Sequence, residues 1–154
     1  MLTMNGQRMS KSTGNYILPH QLISGENDFF EKPFHPAVVR FNFLQAHYRS
    51  VLDISNEAML ASAKGFQRLM EALKTLSAIS NQQSTESGKQ KAESDFNLNS
   101  WKEKCYDALT DDFNSPILIS HLFEAVSFIF KLKDGKQTIS SKDLEELKTL
   151  MNAF

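Results

Sequence analysis

Ser115-Pro116-Ile117-Leu118-Ile119-Ser120-His121-Leu122-Phe123-Glu124-Ala125-Val126-Ser127-Phe128-Ile129-Phe130-Lys131-Leu132 is the stretch whose pattern decides the fold. Leu118, Leu122, Ala125, Ile129 and Leu132 recur at steps of three and four, which a helix turns to one side. Ile119, Phe123, Val126 and Phe130 widen that side into a broad apolar face. Ser-Pro is a favoured opening, because proline at the first helical position gives up an N–H that would be unsatisfied anyway.

Similar patterns lie on both sides of it. Downstream, Ser140 or Ser141 is placed to cap a last helix carrying Leu144, Leu147, Met151 and Phe154. Upstream, a helix from about Asn99 to Asp111 offers Trp101, Cys105, Ala108 and Leu109. Before it, Ser55 is a good N-cap for a long helix over about 56–80, with Met59, Ala63, Phe66, Met70, Leu73 and Leu76 as its stripe. His35-Pro36 opens another, expected to run to about Leu52 with Val38, Phe41, Leu44, Tyr48 and Val51 at helical spacing. A short helix is expected from Pro19 to a stop at Gly25, with loop from Glu26 to Phe34. The sum is a mainly α chain, an antiparallel helical bundle preceded by a short loop segment. Strand signal is confined to Leu2-Thr3-Met4 before the turn-forming pair Asn5-Gly6. No internal repeat recurs. The organisation expected is 1–34 as a loop segment, 35–80 as helices, 81–98 as a polar linker and 99–154 as the remaining helices. The run Asn81 to Ser94 has almost nothing to bury and reads as a mobile connection.

Composition narrows the chemistry. With 154 residues, 41% hydrophobic and 23% charged, and a formal net charge of -1, the chain is ordinary globular material. A nucleic-acid role therefore needs a local basic cluster, since the global field does not favour phosphate. The one cysteine, Cys105, excludes an internal disulfide and makes a thiolate zinc site from this chain alone implausible. Its neighbours in helical register point to a packed core thiol. No uninterrupted run of about 18 apolar residues indicates a membrane span. No basic-then-apolar leader opens the chain, so the expected location is cytoplasmic.

Chemistry concentrates in Arg8-Met9-Ser10-Lys11-Ser12-Thr13-Gly14-Asn15. A lysine between two small hydroxyl residues, followed by glycine, can bring an ammonium and nearby backbone N–H groups to a polyphosphate. The same residues also make ordinary polar surface turns. Lys11 is the strongest single candidate, and Arg8 keeps a positive charge with a different hydrogen-bond geometry. Thr13, Gly14 and Asn15 would shape the loop. A second cluster, Arg40-Phe41-Asn42-Phe43-Leu44-Gln45-Ala46-His47-Tyr48-Arg49-Ser50, reads as one helix with Arg40 and His47 seven apart on a shared face and Arg49 further round. These three either touch an RNA backbone or a neighbouring domain, or tie helices together. A third, Ala108-Leu109-Thr110-Asp111-Asp112-Phe113-Asn114-Ser115-Pro116, pairs carboxylates that can suggest acid/base work or metal binding, but between a helix end and a Ser-Pro start their better use is to satisfy free N–H groups.

The first cluster resembles the KMSKS signature of class I aminoacyl-tRNA synthetases, with Arg8 where the first lysine stands. Together with Ala46-His47-Tyr48-Arg49-Ser50 and Asp111-Asp112-Phe113-Asn114-Ser115-Pro116 in this order, it resembles the cysteinyl-tRNA synthetases over nearly the whole chain. The resemblance implies an enzyme that activates cysteine with ATP and transfers it to tRNA(Cys). It implies that Lys11 is catalytic and that Arg8, Met9, Ser10, Lys11 and Ser12 form an ATP loop. Residues 1–34 would then end a catalytic region, 35–80 would be stem-contact helices and 99–154 the remainder of a DALR-type helical domain. Arg40, His47 and Arg49 would contact tRNA or the neighbouring domain. The family's HIGH motif, its zinc ligands and its last anticodon-binding segment have no match here. Zinc is thus expected outside this chain, no residue here is a metal ligand, and a fragment inactive on its own is expected. The related cysteine ligase of mycothiol synthesis and a non-enzymatic helical protein-binding module are the rival expectations.

Overall fold

The computed structural model describes residues 1–83 and 95–154. Among them lie β1 (Leu2–Met4), β2 (Gln7–Arg8), α1 (Pro19–Ser24), α2 (Pro36–Leu44), β3 (Leu52–Ile54), α3 (Asn56–Gln83), α4 (Leu98–Thr110), α5 (Ser115–Lys133) and α6 (Ser141–Ala153). The chain divides into two compact units, Met1–Gln67 and Arg68–Phe154, with the division inside α3.

The first unit is built on a small sheet of order β2-β1-β3. Asn5 and Gly6 both take positive φ (51° and 74°), as a two-residue turn with the twist of a hairpin requires, and pair β1 antiparallel with β2. β3 lies parallel on the other edge of β1, in the register Leu2 with Leu52, Thr3 with Asp53 and Met4 with Ile54. Met4, Ile54, Leu22 of α1, Phe34, Val38 of α2 and Met59 of α3 share one buried cluster beneath it. α1 starts at Pro19 and ends at Gly25, whose φ of 80° lets its N–H reach the Gln21 carbonyl at 3.0 Å.

Two expectations fail here for one reason. The helix expected from residue 36 to about Leu52 stops at Leu44, where the Gln45 N–H closes onto the Asn42 and Phe43 carbonyls. Residues 52–54 are a strand, not the end of a helix or a loop. Tyr48 and Val51, assigned to a buried stripe, are 63% and 55% exposed. β1 presents an open edge, and the Leu52 N–H donates to the Met1 carbonyl at 3.0 Å while the Asn5 N–H donates to Ile54 at 3.3 Å. Unpaired backbone groups of a buried strand are costly, so this long-range pairing outweighs a local helical period.

The second unit is the expected bundle. Leu118, Leu122, Ala125, Val126, Phe128 and Ile129 of α5 are buried with Trp101, Cys105 and Ala108 of α4 and with Leu144, Leu147, Leu150 and Met151 of α6. Ala72 and Leu76 of α3 join them fully buried, with Leu69, Leu73 and Ile79 packed alongside. α5 is long and apolar enough, at a mean hydropathy of 1.4, to cross a membrane by length and composition alone. Its buried face explains that apolarity as a bundle core. Asn97 accepts from the Ser100 N–H at 3.0 Å and Ser140 from the Asp143 N–H at 3.1 Å, so both helices carry side-chain caps.

The linker expected over 81–98 is shorter at both ends, while residues 84–94 lie outside the described residues. Asn81–Gln83 continues α3. Phe96 stacks on Phe128 at 4.4 Å, and Leu98 is buried, because both reach the bundle core.

Candidate functional site

The Lys11 loop grows directly out of the hairpin. β2 ends at Arg8, and the Met9 N–H returns to the Leu2 carbonyl at 3.3 Å while its side chain packs on the first unit's core. Ser10 and Asn15 then pair across an antiparallel bridge, the Ser10 N–H donating to the Asn15 carbonyl at 2.9 Å. Between them Lys11 to Gly14 make one turn, closed by the Gly14 N–H on the Lys11 carbonyl at 3.3 Å. Gly14 has φ of 72° and nothing within 4 Å of where a Cβ would stand, so the backbone and not crowding selects glycine.

Side chains lock the base of this turn and leave its tip open. Asn15 Nδ2 donates to the Gln7 and Arg8 carbonyls at 3.3 and 3.2 Å. Thr13 Oγ1 donates to the Ser10 carbonyl at 3.1 Å, and the Ser10 and Ser12 hydroxyls share a hydrogen bond of 2.7 Å. Lys11, Ser12, Thr13 and Gly14 are exposed, as is Arg8, and Ser10 is half-buried. Lys11 makes no ion pair among the described residues. Residues 1–25 contain Arg8 and Lys11 but no Asp or Glu. The tip is therefore a cationic, hydroxyl-rich projection on a backbone-clamped base, suited to an anion that arrives from solvent.

The second cluster takes a different form from the one expected. Arg40 stands exposed on α2, but His47 and Arg49 lie beyond the helix end, so Arg40 and His47 share no helical face. Instead residues 47–50 form a turn, with the Ser50 N–H and hydroxyl donating to the His47 carbonyl at 2.8 and 2.7 Å. The His47 ring lies 4.7 Å from that of Tyr48, and the Arg49 guanidinium lies 5.4 Å from the Tyr48 ring centroid. Arg49 Nε also donates to Tyr48 Oη at 2.9 Å. Tyr48 thus contacts both His47 and Arg49, and the Arg49 N–H also donates to His47 Nδ1 at 3.3 Å.

The carboxylate pair sits in the α4–α5 turn, where Asp112 and Phe113 both have positive φ (55° and 53°). Asp111 accepts from Asn114 Nδ2 at 3.2 Å, so its bond goes to a side chain and not to a helix N–H as expected. The Asn114 N–H instead reaches the Ala108 carbonyl at 2.9 Å. No group of three or more His, Cys, Asp or Glu placed to hold a metal exists among the described residues. Cys105 is fully buried, and burial, with a smaller contribution from the charge of Glu124, pushes its thiol up to about 11. A protonated, enclosed thiol does not fit a zinc ligand.

Comparison with known proteins gives this geometry a class. Residues 1–65 match the family of tRNA synthetases class I (C) catalytic domain, and residues 104–154 match the DALR domain. The Lys11 loop thus falls in a region similar to a class I tRNA synthetase catalytic domain, and the last helices in one similar to a DALR domain. Cysteine--tRNA ligases align along the chain. That of Parabacteroides distasonis is 43% identical over all 154 residues and that of Bacteroides thetaiotaomicron 41%, the chain covering 30% of each. That of Chlorobaculum tepidum is 36% identical over 149 residues, 96% of this chain and 27% of the relative. The chain is thus similar to cysteine--tRNA ligases along its whole length, and spans about 30% of the length of the curated relatives it matches.

Proposed function

We propose that this chain supplies the ATP loop and tRNA-contacting helices of an enzyme that joins cysteine to tRNA(Cys) through a cysteinyl-adenylate. The observation that carries the proposal is the Lys11 turn, a cationic tip on a clamped base in a chain aligned throughout with cysteine--tRNA ligases. ATP is the substrate that the class implies. Lys11 would offset the charge that builds on the triphosphate as pyrophosphate leaves, an interaction that matters most in the transition state. Arg8, Met9, Ser10 and Ser12 complete the loop, Met9 as its anchor and the others as polar contacts.

In this proposal residues 1–34 end the catalytic region, and the helical segments over 35–80 and 99–154 receive tRNA. Arg40, His47 and Arg49 are its candidate contacts. Their phosphate contacts require a salt-dependent affinity for tRNA, which Arg40→Ala and Arg49→Ala would each reduce. Zinc is assigned to residues outside this chain, and the place of action is the cytoplasm. The proposal assigns the cysteine pocket and the remainder of the nucleotide site to residues outside this chain, so the chain is expected to be inactive in cysteine-dependent ATP–pyrophosphate exchange. Measurable exchange by the purified chain would overturn that.

The deciding experiment is Lys11→Ala in the full-length gene product, with adenylate formation followed by rapid quench and cysteine binding by calorimetry. A large loss in the first with little change in the second is expected. Equal losses in both would refute the role given to Lys11.

A further inference from the structure

We infer that Asp53 is a positioning residue for the Lys11 loop, acting through the hairpin that carries it; the inference rests on the ATP-loop proposal above. Asp53 sits in the middle of β3 between Leu52 and Ile54, although aspartate is a poor strand residue. Its Oδ1 accepts two hydrogen bonds, from the Thr3 hydroxyl at 2.7 Å and from the Gly6 N–H at 2.8 Å. Thr3 is buried and belongs to β1, while Gly6 is the second residue of the hairpin turn. One oxygen therefore ties β3, β1 and the turn together.

The tie matters because the hairpin is short. β2 is two residues long and pairs with β1 through Thr3 with Arg8 and Met4 with Gln7, with one further bond to β1 from the Met9 N–H to the Leu2 carbonyl and one from the Asn5 N–H to the Ile54 carbonyl of β3, and so short a hairpin is marginal without support. Gly6 lies five residues before Lys11, with only β2 and the Met9-Ser10 segment between. Loss of the Gly6 anchor would let β2 shift, and with it the Gln7 and Arg8 carbonyls that hold Asn15 at the base of the turn. A catalytic cation displaced in this way loses rate before it loses substrate binding.

Both bonds end on Oδ1, so acceptor capacity and not negative charge is what Asp53 provides, and asparagine offers the same oxygen. The test is cysteine-dependent ATP–pyrophosphate exchange by the full-length gene product, with Asp53→Ala, Asp53→Leu and Asp53→Asn beside Lys11→Ala. Amide hydrogen exchange at Gly6 and across residues 9–15 is measured on the same proteins. Asp53→Ala and Asp53→Leu should lower kcat about tenfold with the KM for cysteine unchanged, and should speed exchange at Gly6 and through the loop. Asp53→Asn should restore both. An Asp53→Asn variant as impaired as Asp53→Ala, or an Asp53→Ala variant with normal kcat and normal loop exchange, would overturn the inference. If Lys11→Ala keeps full exchange activity, the ATP-loop proposal fails instead, and hydrogen exchange alone then decides whether Asp53 holds the hairpin.

Discussion

The two units of this chain are held by different physics. In Arg68–Phe154, four helical segments bury apolar stripes in a common core, and residues such as Ala125, Ile129 and Leu147 have no exposed surface at all. In Met1–Gln67 the Lys11 turn is exposed, and the hairpin and turn owe their shape to hydrogen bonds donated by Asn15 and Thr13 and accepted by Asp53 and to left-handed residues at Asn5, Gly6 and Gly14. The helical unit should therefore be sensitive to lost volume and the loop to lost acceptors and charge. A mutation with large effect in one should be nearly silent in the other's observable.

The largest effect is expected from Ile129→Ala, which opens a cavity where no exposed surface exists and should cost about 3–4 kcal/mol in denaturant unfolding. A loss below about 1 kcal/mol would mean that the bundle relaxes around the gap, and the contrast between the units would weaken. Next comes Lys11→Ala, expected to slow adenylate formation by the full-length gene product about 100-fold, roughly 2.7 kcal/mol, with unfolding unchanged. A clear fall in thermal stability would show that the exposed loop has a structural role after all.

Smaller effects sharpen the comparison. Gly14→Ala meets no steric neighbour but forces a side chain into the left-handed region, so the loop should lose about 1 kcal/mol. The cost should appear as faster hydrogen exchange over residues 9–15 while the bundle's amides stay protected. The smallest effect at neutral pH belongs to Cys105, which should react with a thiol reagent only as the second unit opens. The unfolded thiol ionises near 9.0 and the folded one only near about 11. Over that window the unfolded chain gives up a proton that the folded chain keeps, so this group's contribution is intact below pH 9 and declines as pH rises. Fast labelling at pH 7 under native conditions would contradict the burial of Cys105.

How much of this is legible in the sequence follows the same division. The helices of the second unit could be read because each one's signal, an apolar residue every three or four positions and a capping Asn or Ser, lies within itself. Lys11, Gly14 and the Asn5-Gly6 turn could be read for a similar reason, since their backbone demands are local. Residues 45–54 could not. Leu52 to Ile54 joins β1 across some fifty positions of chain, and no periodicity within the segment records that pairing. The same ending of α2 at Leu44 takes Tyr48 out of a core and Arg40 and His47 off a shared face.

The sequence alone determined a mainly helical chain, a capped bundle and a cationic serine-lysine-serine loop, because helical periods, caps and turn residues act over a few positions. Only the tertiary structure decided that β3 completes a sheet under that loop, that Tyr48 joins His47 to Arg49, and that Asp53 holds the hairpin turn. Each of these is a bond between residues or strands whose partner choice depends on which backbone and side-chain groups folding leaves unsatisfied.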